Sequence, residues 1–205
     1  MWSSSKYLWG LFLAPIICSL YFAVLFALIR SGELLEVSEG SNPFLELAEQ
    51  ISVMDVPELD EAIALYDKQR ALLVSDFDTR KRYLKNSRKY WLQASNARPN
   101  WPYYQIEAWS AEINLGYPVE DLQSRFDLII AIAPNERGID KPLTEIGLAI
   151  WFQLRKDQRQ LIIDRMLSSG MPSSIDFILQ KAEERGIKAF VCIRMPWAIA
   201  KKHCL

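Results

Sequence analysis

At 205 residues the chain has room for one ordinary domain plus an appendage, and with half of its residues apolar it can bury a core, which excludes a wholly disordered protein. Its 24 basic and 25 acidic residues nearly cancel, so no global charge favours nucleic acid and any contact with a polyanion must be local. Eight glycines and ten prolines fall mostly between apolar-periodic segments, and no Asn-Gly hairpin signal occurs, which predicts an all-α chain.

The first element is apolar. Tyr7 to Ile29 is 23 residues without a charge, enough at 1.5 Å per residue to cross a hydrocarbon core of about 30 Å. Trp2, Tyr7 and Trp9 sit at one end, where aromatic rings favour the head-group layer, and Pro15 is tolerated inside a membrane helix. A cleaved signal peptide is the rival reading, but its apolar core would be unusually long and no Ala-x-Ala follows it. Ile17 before Cys18 argues against a lipidation site, which needs a small residue there. Residues 1–30 therefore read as a transmembrane anchor. Lys6 precedes the span, whereas Ser31 to Asp67 carries ten acids and no base, so the positive-inside rule places the N-terminus in the cytoplasm and the body outside it.

Residues 31–43, SGELLEVSEGSNP, have linker composition. Residues 44–205 then read as one helical domain. PFLELAEQISVMD suggests a short helix, and Pro57 sits where an N1 proline belongs, ahead of a stripe of Leu59, Ile63, Tyr66, Arg70 and Leu73. Asp78-Thr79 is the expected cap of a helix whose apolar side runs through Tyr83, Leu84, Tyr90, Trp91 and Ala94. Arg98-Pro99 breaks it. A further amphipathic helix over Trp101 to Leu115 stops at Gly116, and its partner ends at Ala133-Pro134. Helix pairs closed by proline at this spacing suggest degenerate tetratricopeptide-like repeats, with Trp109 and Phe126 as the core pair of one hairpin. A plain helical bundle is the alternative. The next unit carries Ile146-Gly147, Ala149 and Trp151 and ends at Gly170; a last helix is expected from an N-cap at Ser174 to a stop at Gly186.

The order RPNWPYYQIEAWSAEINLG, FDLIIAIAPNE and GLAIWFQL behind a membrane anchor resembles the VpsP-like proteins of bacterial exopolysaccharide gene clusters. The resemblance implies a single-pass inner-membrane protein with a periplasmic tetratricopeptide-like solenoid. Its implied role is that of a non-enzymatic scaffold in exopolysaccharide (biofilm matrix) biosynthesis or export. The implied partners are other inner-membrane and periplasmic polysaccharide-assembly proteins; an anionic polysaccharide or lipid-linked intermediate is a further candidate from the basic run described below. No catalytic residue, cofactor or metal is implied. An adaptor of a secretion or pilus machine and a glycan-acting enzyme remain alternatives.

Catalytic groups are sparse. His203 is the one histidine, and the acid pairs Asp60-Glu61 and Glu120-Asp121 sit near helix starts, where carboxylates complement the helix dipole. Two features suit binding. TRKRYLKNSRKYW places Arg80, Lys81, Arg82, Lys85, Arg88 and Lys89 on one helix, either a solvated face or a grip for an anionic polymer, a phospholipid headgroup or a lipid-linked pyrophosphate. The aromatics Trp91, Trp101, Tyr103, Tyr104, Trp109 and Trp151 read either as core or as a surface for sugar rings or a partner helix, with Trp101 and Tyr104 the candidates for contact. Cys192 and Cys204 are the two cysteines outside the span, and export would let them pair; a buried thiol with a free terminal one is the alternative. An extracytoplasmic reporter fused after Leu205 is expected to be active. Activity of a cytoplasm-restricted reporter at that site would contradict the orientation.

Overall fold

The computed structural model describes residues 4–37, 40–168 and 172–204, with the side chains of 4–12 and 172 left aside. It is all-helical, 78% helix, with no strand among the described residues. Trp2 and Gly170, and the side chains of Lys6, Tyr7 and Trp9, lie outside the described set. The chain divides into two compact units, Met1–Ala97 and Arg98–Leu205, so the expected single domain over 44–205 is split. Pro99 explains the break: it withdraws a backbone donor and disfavours helical backbone at Arg98.

The first unit holds α1 (Ser4–Leu34), α2 (Pro43–Ile51), α3 (Pro57–Leu73) and α4 (Phe77–Ala97). Within α1, Leu13–Leu34 is long and apolar enough to cross a membrane. The expected linker over 31–43 is shorter than its composition suggests, because α1 continues to Leu34 and α2 begins at Pro43. Asn42 makes the turn. Its side-chain oxygen accepts from the amides of Phe44 and Leu45, while its Nδ2 donates to Gly32 O at 2.9 Å near the end of α1. Leu45 and Ala48 of α2 are buried, as are Leu25, Ile29 and Gly32 of α1.

The α3–α4 hairpin completes this unit. Pro57 opens α3, and Leu59, Ile63 and Tyr66 are buried, but Leu73 is exposed because α3 ends there. Asp76, not Asp78 or Thr79, caps α4: its carboxylate accepts from Thr79 N at 2.8 Å. Helix α4 starts at Phe77, which carries Asp78 and Thr79 inside its first turn. Tyr83, Tyr90, Trp91 and Ala94 are buried, and the Ser87 hydroxyl donates to Ala64 O across the hairpin.

The second unit contains α5 (Pro102–Asn114), α6 (Val119–Ile132), a 3-10 turn at Arg137–Ile139, α7 (Asp140–Ala149), α8 (Lys156–Ser168), α9 (Pro172–Glu184), α10 (Lys188–Cys192) and α11 (Trp197–His203). Gly116 and Gly186 end α5 and α9 with positive φ, of 72° and 68°, a conformation that strains any side chain with a Cβ. Helix α9 begins at Pro172, so Ser174 lies inside its first turn and not at the cap. Trp151 lies beyond the end of α7 at Ala149. A Cβ on Gly147 would collide with the tip of the Ile162 side chain, so α7 packs closely on α8 there.

Trp109 and Phe126 are the paired core rings of α5 and α6, with centroids 5.7 Å apart and planes at 64°. Both are fully buried, and Trp109 Nε1 donates to Leu122 O at 2.9 Å. Two arginines, Arg125 half-buried and Arg165 buried, join segments distant in sequence. Arg125 binds both carboxylate oxygens of Glu112, at 3.1 and 2.7 Å. Arg165 of α8 donates to Asp140 Oδ1 at 2.6 Å and to the carbonyls of Pro134 and Glu136 at 2.7 Å each, clamping the α6–α7 connection. Phe126→Ala is expected to lower stability by roughly 3–5 kcal/mol through the cavity it leaves. Denaturant titration of the purified chain measures the loss, and an unchanged midpoint would remove Phe126 from the core.

Candidate functional site

The outer side of α4 carries a row of exposed cations. Arg82, Lys85 and Lys89 recur at helical spacing and are exposed, with Lys81 beside them and Arg88 half-buried at the margin. Three of the charged ends lie near aromatic rings. Lys89 Nζ lies 4.5 Å from the Tyr90 centroid, Arg82 Cζ lies 5.4 Å from that of Tyr83, and Lys81 Nζ lies 5.9 Å from that of Phe77. Arg80 does not join this row; its guanidinium donates to Val74 O at 2.9 Å and closes the end of α3. The basic run is thus four exposed cations with Arg88 at their edge, and one structural arginine.

A partly buried polar seam fixes the inner side of the same helix. The Tyr90 hydroxyl donates to the Glu49 carboxylate of α2, and Asn86 donates to Asp67 of α3. Arg70 lies 4.0 Å above the Tyr83 ring and 3.5 Å from Asp67 Oδ1. Burial raises the Asp67 carboxyl above its usual range against the opposing hydrogen bond from Asn86 and the charge of Arg70. Asp60 of α3 is pushed up to about 6, first by burial and then by the Asp55 and Glu49 carboxylates, with Lys89 opposing. Burial and the Glu49 hydrogen bond also hold the Tyr90 phenol above its normal value.

Sequence reading missed this seam because its members come from three helices. The adjacent pair Asp60-Glu61 gave no sign that the electrostatic neighbours of Asp60 are Glu49 and Asp55. Among the described residues no group of three or more His, Cys, Asp or Glu is arranged to hold a metal ion.

The aromatic candidates separate. Tyr104 is 2% exposed and packs in the core, so its ring is not offered to a ligand; Trp91, Trp109 and Trp151 are buried too. Trp101 is half-exposed, its ring centroid 5.1 Å from that of Tyr103. The set therefore serves packing, and Trp101 alone keeps a large free face.

Cys192 and Cys204 form a disulfide with Cα atoms 6.1 Å apart, joining α10 to the end of α11. A cleft of about 720 Å³ opens beside it, lined by Ala189, Ile193, Met195, Trp197 and Ala200, with Lys188 at its edge. Ile193 and Trp197 are largely exposed there. His203 is held on α11, its Nδ1 3.9 Å from Asp176 Oδ1.

The chain matches no protein-family model, no curated protein and no solved structure.

The raised Asp60 carboxyl has a thermodynamic consequence. Its folded value lies above the unfolded one, so the native state binds the extra proton, and the associated stability is present at low pH and lost as pH rises from about 4 through about 6. Asp60→Asn is expected to flatten stability across that window and to raise it at pH 7.5 by about 1–2 kcal/mol after allowance for solvent screening. Denaturant melts at pH 4.5 and 7.5 test this, and an unchanged slope in the variant would contradict it.

Proposed function

We propose that the chain is a membrane-anchored, non-enzymatic adaptor of bacterial exopolysaccharide assembly, and that it holds an anionic polymer or lipid-linked intermediate along the outer side of α4. The observation that carries this reading is the division of labour on α4: its Tyr90 hydroxyl and Asn86 amide are spent inward, on Glu49 and Asp67, while Lys81, Arg82, Lys85 and Lys89 are exposed to solvent. A row of cations along one helix fits a repeating polyanion better than a single small acid, since each sugar carboxylate meets a fresh charge.

In this reading α1 crosses the inner membrane with its N-terminus in the cytoplasm, and the body lies in the periplasm. The Cys192–Cys204 bridge supports that side, because structural disulfides persist in oxidising compartments. The α5–α6 and α7–α8 hairpins are degenerate tetratricopeptide-like repeats, and the apolar cleft beside the disulfide receives other assembly proteins.

Binding of polygalacturonate, with neutral dextran as control, tests the α4 assignment on the full chain in nanodiscs. The expected result is salt-sensitive binding of the acidic polymer alone, weakened about tenfold or more when Lys81, Arg82, Lys85 and Lys89 are all changed to Ala. Equal binding by this variant, with its helical circular dichroism intact, would contradict it.

A further inference from the structure

Helix α1 changes character at Tyr21. From Leu13 to Leu20 every side chain is exposed, Ile17 and Leu20 to 63% and 64%. From Tyr21 onward one side turns inward: Tyr21 is half-buried, and Leu25, Ile29 and Gly32 follow it at helical spacing as fully buried positions. Helix α2 covers that side in antiparallel register, with Asn42 bonded to Gly32 O at one end and Val53 N–H donating to the Tyr21 hydroxyl at 3.1 Å at the other. The eleven-residue step from Gly32 to Tyr21 corresponds to about 16 Å along the helix axis. At the Tyr21 end, Val53 is 81% and Met54 51% exposed, although both are apolar.

If α1 crosses a bilayer, these contacts fix how deep it sits. A hydrocarbon boundary at Ile29, where the uncharged run ends, would sink the irregular Ser52–Val56 turn and the exposed Asp55 carboxylate roughly 12 Å into lipid, where neither unpaired backbone nor a charge is tolerated. A boundary well before Tyr21 would leave Ile16, Ile17 and Leu20 in water and shorten an uncharged span that, from Tyr7 to Leu20, already covers only about 21 Å.

We propose that the hydrocarbon boundary lies level with Tyr21 and that the Val53–Met54 turn rests in the phospholipid head-group layer, as a second point of contact with the membrane. A tyrosine hydroxyl at the boundary and two apolar side chains beside it are the chemistry that this layer accepts. Phe22 and Val24, exposed within a turn above Tyr21, fall in the same layer, and Arg30, the first charge, stands clear of it in water. With two contacts the first unit is held against the bilayer and cannot swing on a single helix. The proposal rests on α1 crossing the membrane, not on any role in polysaccharide assembly.

The test uses the full chain with Cys18→Ala, since Cys18 is the free thiol among the described residues and the other two cysteines are paired. Nitroxide labels are placed one at a time through Ile17→Cys, Val53→Cys and Leu34→Cys, all exposed positions, and the protein is reconstituted in phosphatidylcholine vesicles with one quarter phosphatidylglycerol. Relative accessibility to oxygen and to a water-soluble nickel chelate reports depth. Position 53 is expected at head-group depth, between a deep position 17 and an aqueous position 34. A nickel-accessible position 53 above a deep position 17 would overturn the contact while leaving the span intact. A position 53 as deep as 17 would overturn the placement of the boundary, and an aqueous position 17 would overturn the span itself.

Discussion

The fold of the first unit depends on the close approach of α2 to α1 at Gly32. A Cβ there would lie 2.6 Å from Leu45 Cδ2, so the absence of a side chain lets Leu45 seat against the helix. Asn42 completes the contact by capping α2 with one amide atom and satisfying a terminal carbonyl of α1 with the other. Once α2 is turned back, Glu49 is placed to receive the Tyr90 hydroxyl, and α4 is fixed in rotation about its own axis. That rotation decides which residues of a strongly basic helix meet solvent. The cationic row is therefore a consequence of packing at some distance from it.

The second unit is organised by buried charge as well as by apolar contact. Glu112 and Asp140 are almost fully buried, and each is matched by an arginine from a later helix. Breaking such a pair leaves an uncompensated charge in the core, which is why these contacts specify the helix arrangement more sharply than their net energy suggests. Arg165 adds two backbone carbonyls to its carboxylate, so the chain reversal after α6 is held by side-chain hydrogen bonds instead of by a regular turn. The disulfide does the same for the end of the chain, tying α11 to α10 where few large apolar groups are buried.

Most element boundaries were legible because they are set locally. Pro43, Pro57 and Pro102 open helices where their missing amides cost nothing, and Gly116 and Gly186 end helices through a backbone angle other residues avoid. The Trp109–Phe126 pair was legible from spacing. The linker misled because Ser31–Leu34, polar in composition, are kept helical by the packing of α2 against Gly32, a tertiary effect. Tyr104 and Trp101 are three residues apart and alike in chemistry, and only the core decides that one is buried while the other keeps a face in solvent. Arg80 was indistinguishable from its basic neighbours until Val74 O supplied its partner. The Glu49–Asp60–Tyr90 seam could not be read at all, because it joins three helices and no local pattern marks it.

The central claim is that this anchored helical body takes part in making or exporting a surface polysaccharide through the outward cations of α4. The most direct measurement is the amount of cell-associated acidic polysaccharide in the cells that carry the chain, compared among the intact strain, a strain lacking the chain, and one carrying Lys81, Arg82, Lys85 and Lys89 as Ala. The account predicts that polysaccharide falls in both altered strains while the substituted chain remains at its normal level in the membrane fraction. Unchanged polysaccharide in the strain lacking the chain would contradict it.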